Sequence, residues 1–92
     1  MEINFKDDNM DEKTIKYVNR SKYRVNTLQA IGDGVKMPKE IARDSGILQN
    51  HISNVLRELK DKDLVECLNP DVRKGRLYRL SDDGLEMLDK IK

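Results

Sequence analysis

Two apolar faces separated by a three-residue turn restrict this chain more than any other feature. Between Leu48 and Lys62, the apolar residues Ile52, Val55, Leu56 and Leu59 recur at steps of three, one and three. That is the repeat of a helix with one buried side. Just upstream, Pro38 suits the first position of a shorter helix, about Pro38 to Asp44, because that position needs no N–H donor. Ile41 and Ala42 face inward there. Ser45-Gly46-Ile47 allows only a tight turn between the two helices.

The flanking segments read as clearly. Ser21 can cap a helix running to about Ile31, with Val25, Leu28 and Ile31 as its buried stripe, and Gly32-Asp33-Gly34 ends it. After Asp63 the pattern changes to that of strands. Leu64 to Leu68 and Leu77 to Leu80 are short and apolar, and Asn69-Pro70-Asp71 with Lys74-Gly75 supplies the turn of a hairpin. Ser81 caps a last helix, with Leu85, Leu88 and Ile91 on one face. Residues 1–10 are polar and aperiodic apart from Ile3 and Phe5, and leave a short strand and a tail both open. A helical stretch starts near Asp11, with Ile15 and Val18 on one side. The division is an N-terminal extension, residues 1–20, and one domain, residues 21–92.

Short helix, tight turn, longer helix, hairpin and helix, in that order, predict an α+β winged helix-turn-helix: mostly helical, with a two-stranded β-hairpin wing. The helix over about 48–62 buries one side, and its other side carries Gln49, Asn50, Ser53, Asn54, Arg57 and Lys60. Gln and Asn can pair with the adenine edge and Arg with the guanine edge in a major groove, and Ser53 is small enough to let the backbone approach. Gln49, Asn50, Ser53, Asn54 and Arg57 are therefore the candidate base contacts. Arg73, Lys74 and Arg76 cluster around Gly75 in the turn, about residues 69–76, where cations reach a phosphate backbone. Lys22, Arg24, Lys36 and Lys39, near the starts of the two preceding helices, and Lys60 complete the candidate backbone contacts.

Charge supports a nucleic-acid surface once it is divided along the chain. The net charge is only +1. Residues 1–12 hold one lysine and five acids, residues 13–80 fifteen Lys or Arg and eight acids, and residues 81–92 two lysines and four acids. A basic centre between acidic ends suits a polyanionic partner. Ninety-two residues suffice for one domain of modest stability. The lone Cys67 and lone His51 exclude an intramolecular disulfide, a cysteine zinc cluster and a multi-histidine metal site within one chain. No phosphate-cradling glycine loop is present, so neither enzyme nor cofactor is expected. With no apolar run of membrane length and no apolar leader, the expectation is a cytoplasmic protein.

The segments Ser21-Lys22-Tyr23-Arg24, Lys36 to Ala42, His51 to Leu59, Asp63 to Glu66 and Gly75 to Gly84 together resemble the winged-helix transcriptional regulators common in archaea, within the MarR/ArsR-like superfamily. The resemblance covers about Ser21 to Lys92 and implies fold and DNA binding rather than a target. Three positions depart from its pattern. Met37 and Leu48 stand where a Ser or Thr helix cap is usual, at a cost of about 1 kcal/mol each. Asp63 replaces a glycine before the first wing strand, and aspartate tolerates a positive φ better than most residues.

His51 at the edge of the apolar face reads as a packed or phosphate-contacting imidazole, and Cys67 as an inert strand residue. Asp82, Asp83 and Glu86 suit the N-terminal end of a helix dipole. Tyr78 is expected in the core. The expected partners are double-stranded DNA and a second copy of the chain, since one small module contacts few base pairs. Ile15/Val18 and Leu85/Leu88/Ile91 are the candidate dimer faces. The competing reading is a winged helix used as a protein–protein module in a transcription or replication assembly. An RNA-binding version would show exposed aromatics, and the sequence predicts none.

Overall fold

The computed structural model describes residues 12–91; the Ile3/Phe5 segment and Asp11 lie outside the described residues. The elements are α1 (Glu12–Asn19), α2 (Lys22–Ile31), α3 (Pro38–Ser45), α4 (Gln49–Asp61), β1 (Val65–Cys67), β2 (Tyr78–Leu80) and α5 (Asp82–Leu88). Helix ends follow local chemistry. Ser21 Oγ accepts the Arg24 N–H at 3.3 Å, and Gly32, at φ 58°, closes α2 by donating to Leu28 O. Pro38 opens α3. Met37 offers no oxygen as a cap, but the Glu40 carboxylate accepts the Met37 N–H at 2.8 Å, so this start keeps one half of a capping box. Gly46 turns the chain in the left-handed region at φ 77° and donates to Ala42 O.

Asp63 adopts a positive φ of 61° two residues beyond α4, a conformation aspartate tolerates better than most residues. Its carbonyl accepts the Ser81 hydroxyl at 2.6 Å, which joins the entry of β1 to the exit of β2. The strands pair antiparallel with Val65 opposite Leu80, Glu66 opposite Arg79 and Cys67 opposite Tyr78. A third edge was not anticipated. Lys36 N donates to Tyr78 O at 3.0 Å and Tyr78 N to Lys36 O at 2.8 Å, which fastens the α2–α3 connection to the hairpin. A single residue pair leaves no periodic trace in the sequence.

α2 lies at the centre and packs against α1, α3, α4, β2 and α5. Val18, Leu28, Ile31, Ile41, Ile52, Leu59, Leu64 and Met87 are fully buried in one cluster. One expectation needs correction. Val18 belongs to this core and is not free to form a dimer face. The buried side of α5 and its exit is Gly84, Met87 and Ile91 with Leu88 half-buried, while Leu85 points outward at 39 % exposure. The cause is Gly84, whose missing side chain lets the helix approach Leu64 and so sets its rotation.

Candidate nucleic-acid interface

The apolar stripe of α4 (Ile52, Val55, Leu56, Leu59) is buried, so its polar side is turned to solvent as a consequence of the packing. Gly46 sets the angle between α3 and α4, and the β1–β2 connection returns beside them. An open groove results. Met37, Pro38 and Lys39 line it from α3 and its cap; Gln49, Ser53, Leu56, Arg57 and Lys60 from α4; and Arg73, Lys74, Gly75 and Arg76 from the wing. Tyr78, buried as expected, also borders it. The lining holds six cations and no carboxylate. Asp71 shares the wing but does not line the groove.

The wing is internally braced. Asn69 Oδ1 accepts the Leu77 N–H at 2.7 Å while its Nδ2 donates to Gly75 O at 3.1 Å, so one amide spans the neck of the loop. Arg76 Nε donates to Val72 O at 2.7 Å and Nη2 to Pro70 O at 3.3 Å. The Arg76 guanidinium thus holds the loop in shape and retains donors for an outside anion. Arg73 and Lys74 have no partner among the described residues, and both are exposed.

The remaining predicted contacts divide. Asn50 and Asn54 are exposed on α4 but lie off the groove lining, and Asn54 Oδ1 accepts from Arg57 Nη1 at 3.5 Å. Lys22 is exposed at the start of α2. Arg24 is committed elsewhere: Nη1 donates to Tyr17 O at 2.7 Å, Nε pairs with Glu58 at 3.2 Å, and the guanidinium carbon lies 3.6 Å from the centre of the Tyr17 ring. With its side chain 18 % exposed, it locks α1 and α4 onto α2 and is poorly placed to reach a phosphate. Lys36 is also engaged, donating to Ala30 O and pairing with Asp44 at 2.7 Å. These contacts tie α2 to α3. They also hold the Asp44 carboxyl below its usual range, first through the Lys36 hydrogen bond and then through that of Arg43.

Sequence reasoning missed an exposed aromatic contact at the leading edge of α4. Tyr23 is 44 % exposed, and its ring centre lies 5.5 Å from that of His51 at an interplanar angle of 49°. His51 is exposed on α4 beside the buried stripe, and its partner in α2 could not be read from spacing. Cys67 is half-buried in β1, with Sγ directed at Asn69 Oδ1 at 3.8 Å. Among the described residues there is no grouping of His, Cys, Asp and Glu that could hold a metal ion. No described helix is long and apolar enough to cross a membrane.

No family model and no curated protein matches the sequence. Solved structures do match the fold. BpsR of Bordetella bronchiseptica, described in a study of how 6-hydroxynicotinic acid regulates its DNA binding, superposes with a TM-score of 0.71 at 18% identity, over 86% of this chain and 67% of its own. Ligand-free NadR gives 0.65 at 14% identity, over 86% of this chain and 62% of its own. NadR in complex with 4-hydroxyphenylacetate gives 0.66 at 12% identity, over 96% and 75%. The fold is a winged helix-turn-helix like that of these structures. The chain spans roughly two thirds of the length of these structures, and at such identities the likeness extends to architecture alone. In winged-helix terms α3 and α4 form the helix-turn-helix and the β1–β2 connection is the wing.

Proposed function

We propose that this protein is a sequence-specific double-stranded DNA-binding transcriptional regulator, with α4 entering a major groove and the wing, residues 69–76, on the flanking backbone. One observation carries the reading: six cations from three separate elements line a single groove that no carboxylate shares. A generic solvated surface on a chain of net charge +1 would mix the signs. The description of BpsR as a protein whose DNA binding is regulated supports the same assignment.

Gln49, Ser53 and Arg57 are the leading base-reading groups, with Asn50 and Asn54 beside them on the exposed side of α4. Lys39, Lys60, Arg73, Lys74 and Arg76 take phosphates, and Lys22 extends that contact along the backbone. Arg24 and Lys36 support the frame. A recognition helix of 13 residues reads few base pairs, so we infer that two copies bind a two-fold site. Sedimentation at micromolar concentration tests this, and a purely monomeric mass on and off DNA refutes it.

The direct test is selection of bound duplexes from a random DNA pool, followed by footprinting and a salt titration. Five groove cations and Lys22 make six phosphate contacts per copy, which predict log K falling with log salt at a slope of roughly −5 for each copy bound, from about 0.9 per contact. No affinity for any duplex at low ionic strength overturns the proposal and leaves the protein-docking use of the fold in its place.

A further inference from the structure

The recognition helix α4 begins on a leucine where α2, α3 and α5 begin on polar side chains. α2 and α5 are capped by Ser21 and Ser81, whose hydroxyls accept backbone N–H groups. α3 has the Glu40 carboxylate on the Met37 N–H. At α4 the N-cap is Leu48, with no side-chain cap bond, and position N3 is His51 rather than an acid. Replacing a Ser or Thr cap by an aliphatic residue costs on the order of 1 kcal/mol. Leu48 does not recover this by packing, because its side chain is 69 % exposed, the highest value for a large apolar residue among the described residues.

The position of Leu48 gives this arrangement a use. The N-terminal residues of a recognition helix are those that meet base edges, and Leu48 immediately precedes Gln49, which lines the cationic groove. Its backbone is held, with the carbonyl accepting from His51 N at 2.9 Å and Ile52 N at 3.1 Å. The side chain is therefore presented from a fixed point. The major-groove edge offers one apolar group, the C5-methyl of thymine, which hydrogen-bonding side chains do not read.

Resting on the DNA-binding reading above, we propose that Leu48 is a specificity determinant that packs on a thymine methyl in the recognised half-site, beside the base pair contacted by Gln49. Surrounding cations hold the duplex against this end of the helix, and a buried methyl on each side of the contact supplies discrimination without a hydrogen bond. The missing cap is the stability given up for that contact.

The test uses the full chain and the duplex enriched from the random pool, with each thymine replaced in turn by deoxyuridine, which removes only the methyl. For the wild type, one such replacement per half-site should weaken binding about three- to tenfold, the scale of one buried methyl group. For Leu48→Ser the same replacement should have no effect, and thermal unfolding should show the variant at least as stable because a cap is restored. Leu48→Met, which keeps an apolar reach, should retain part of the discrimination. The proposal is overturned if the wild type is indifferent to deoxyuridine at every position. It is equally overturned if Leu48→Ser keeps the full thymine preference, or if the enriched sites share no thymine. A chain that binds no duplex at all fails the earlier reading instead, so the two failures are distinguishable.

Discussion

A β-carbon placed on Gly84 would stand 2.0 Å from the carbonyl oxygen of Leu64. No real side chain tolerates that distance, so α5 can dock where it does only without one. The same carbonyl accepts the Ser81 N–H at 3.0 Å, and Ser81 Oγ in turn accepts the Gly84 N–H at 3.0 Å. The start of α5, the exit of β2 and the entry to β1 therefore meet at one point, and Met87 is buried as a consequence.

Gly84→Ala should accordingly be destabilising although alanine is the better helix former. The helix-propensity gain of about 1 kcal/mol is outweighed by displacement of α5 from a backbone atom that cannot rotate away. A net loss of about 1–3 kcal/mol is expected, in the range of overpacked cores. The denaturant midpoint reads it directly, and an unchanged or raised midpoint refutes the close-approach account.

Thr27 presents the opposite case. It is fully buried in the middle of α2, and Oγ1 has no hydrogen-bond partner. Thr27→Val keeps the shape and removes an unsatisfied hydroxyl, so stability should rise by about 1 kcal/mol. An unfolding midpoint below that of the wild type would show that the hydroxyl is satisfied in solution.

Gly84 and Thr27 mark where the sequence stops being legible. Helix starts at Ser21, Pro38 and Ser81 and the turn at Gly46 are set by neighbouring residues, and each could be read from the chain. The buried stripe of α4 could be read because a 13-residue helix repeats its period several times. In the seven residues of α5 the period repeats too few times to single out Met87, and the approach of Gly84 to the distant Leu64 carbonyl is what turns that residue into the core. The same limit holds for the cations. Spacing identifies Arg24 and Lys36 as basic residues near helix starts, but only folding brings Tyr17 and Glu58 to the one and Ala30 and Asp44 to the other.

The Lys36–Asp44 pair makes a prediction about pH. Asp44 is held below its ordinary value of 3.8, chiefly by the Lys36 hydrogen bond, so its folded state favours the carboxylate. A depressed carboxyl contributes stability above the unfolded value, and that contribution is lost as pH falls through the folded one. Asp44→Asn should thus lower Tm slightly at neutral pH, and the difference from wild type should close below pH 3.8. A difference that persists unchanged in acid would mean that the pair does not act through charge.

The groove itself predicts a division of labour between wing and helix. Lys74→Ala and Arg73→Ala remove free cations from an exposed loop, so affinity should drop alike on cognate and random duplexes, and the salt slope should become shallower by about 1 for each. Arg57→Ala and Asn54→Ala should instead cost on the order of 1–3 kcal/mol on the cognate duplex and little on random DNA, because base contacts exist only where the sequence fits. Arg76→Ala combines two effects. Beyond its charge it releases Val72 O and Pro70 O, so hydrogen exchange in the wing should accelerate before any DNA is added, whereas Lys74→Ala should leave that exchange unchanged. Equal losses on all duplexes from both sets of variants would refute the division, and unaltered wing exchange in Arg76→Ala would refute its bracing role.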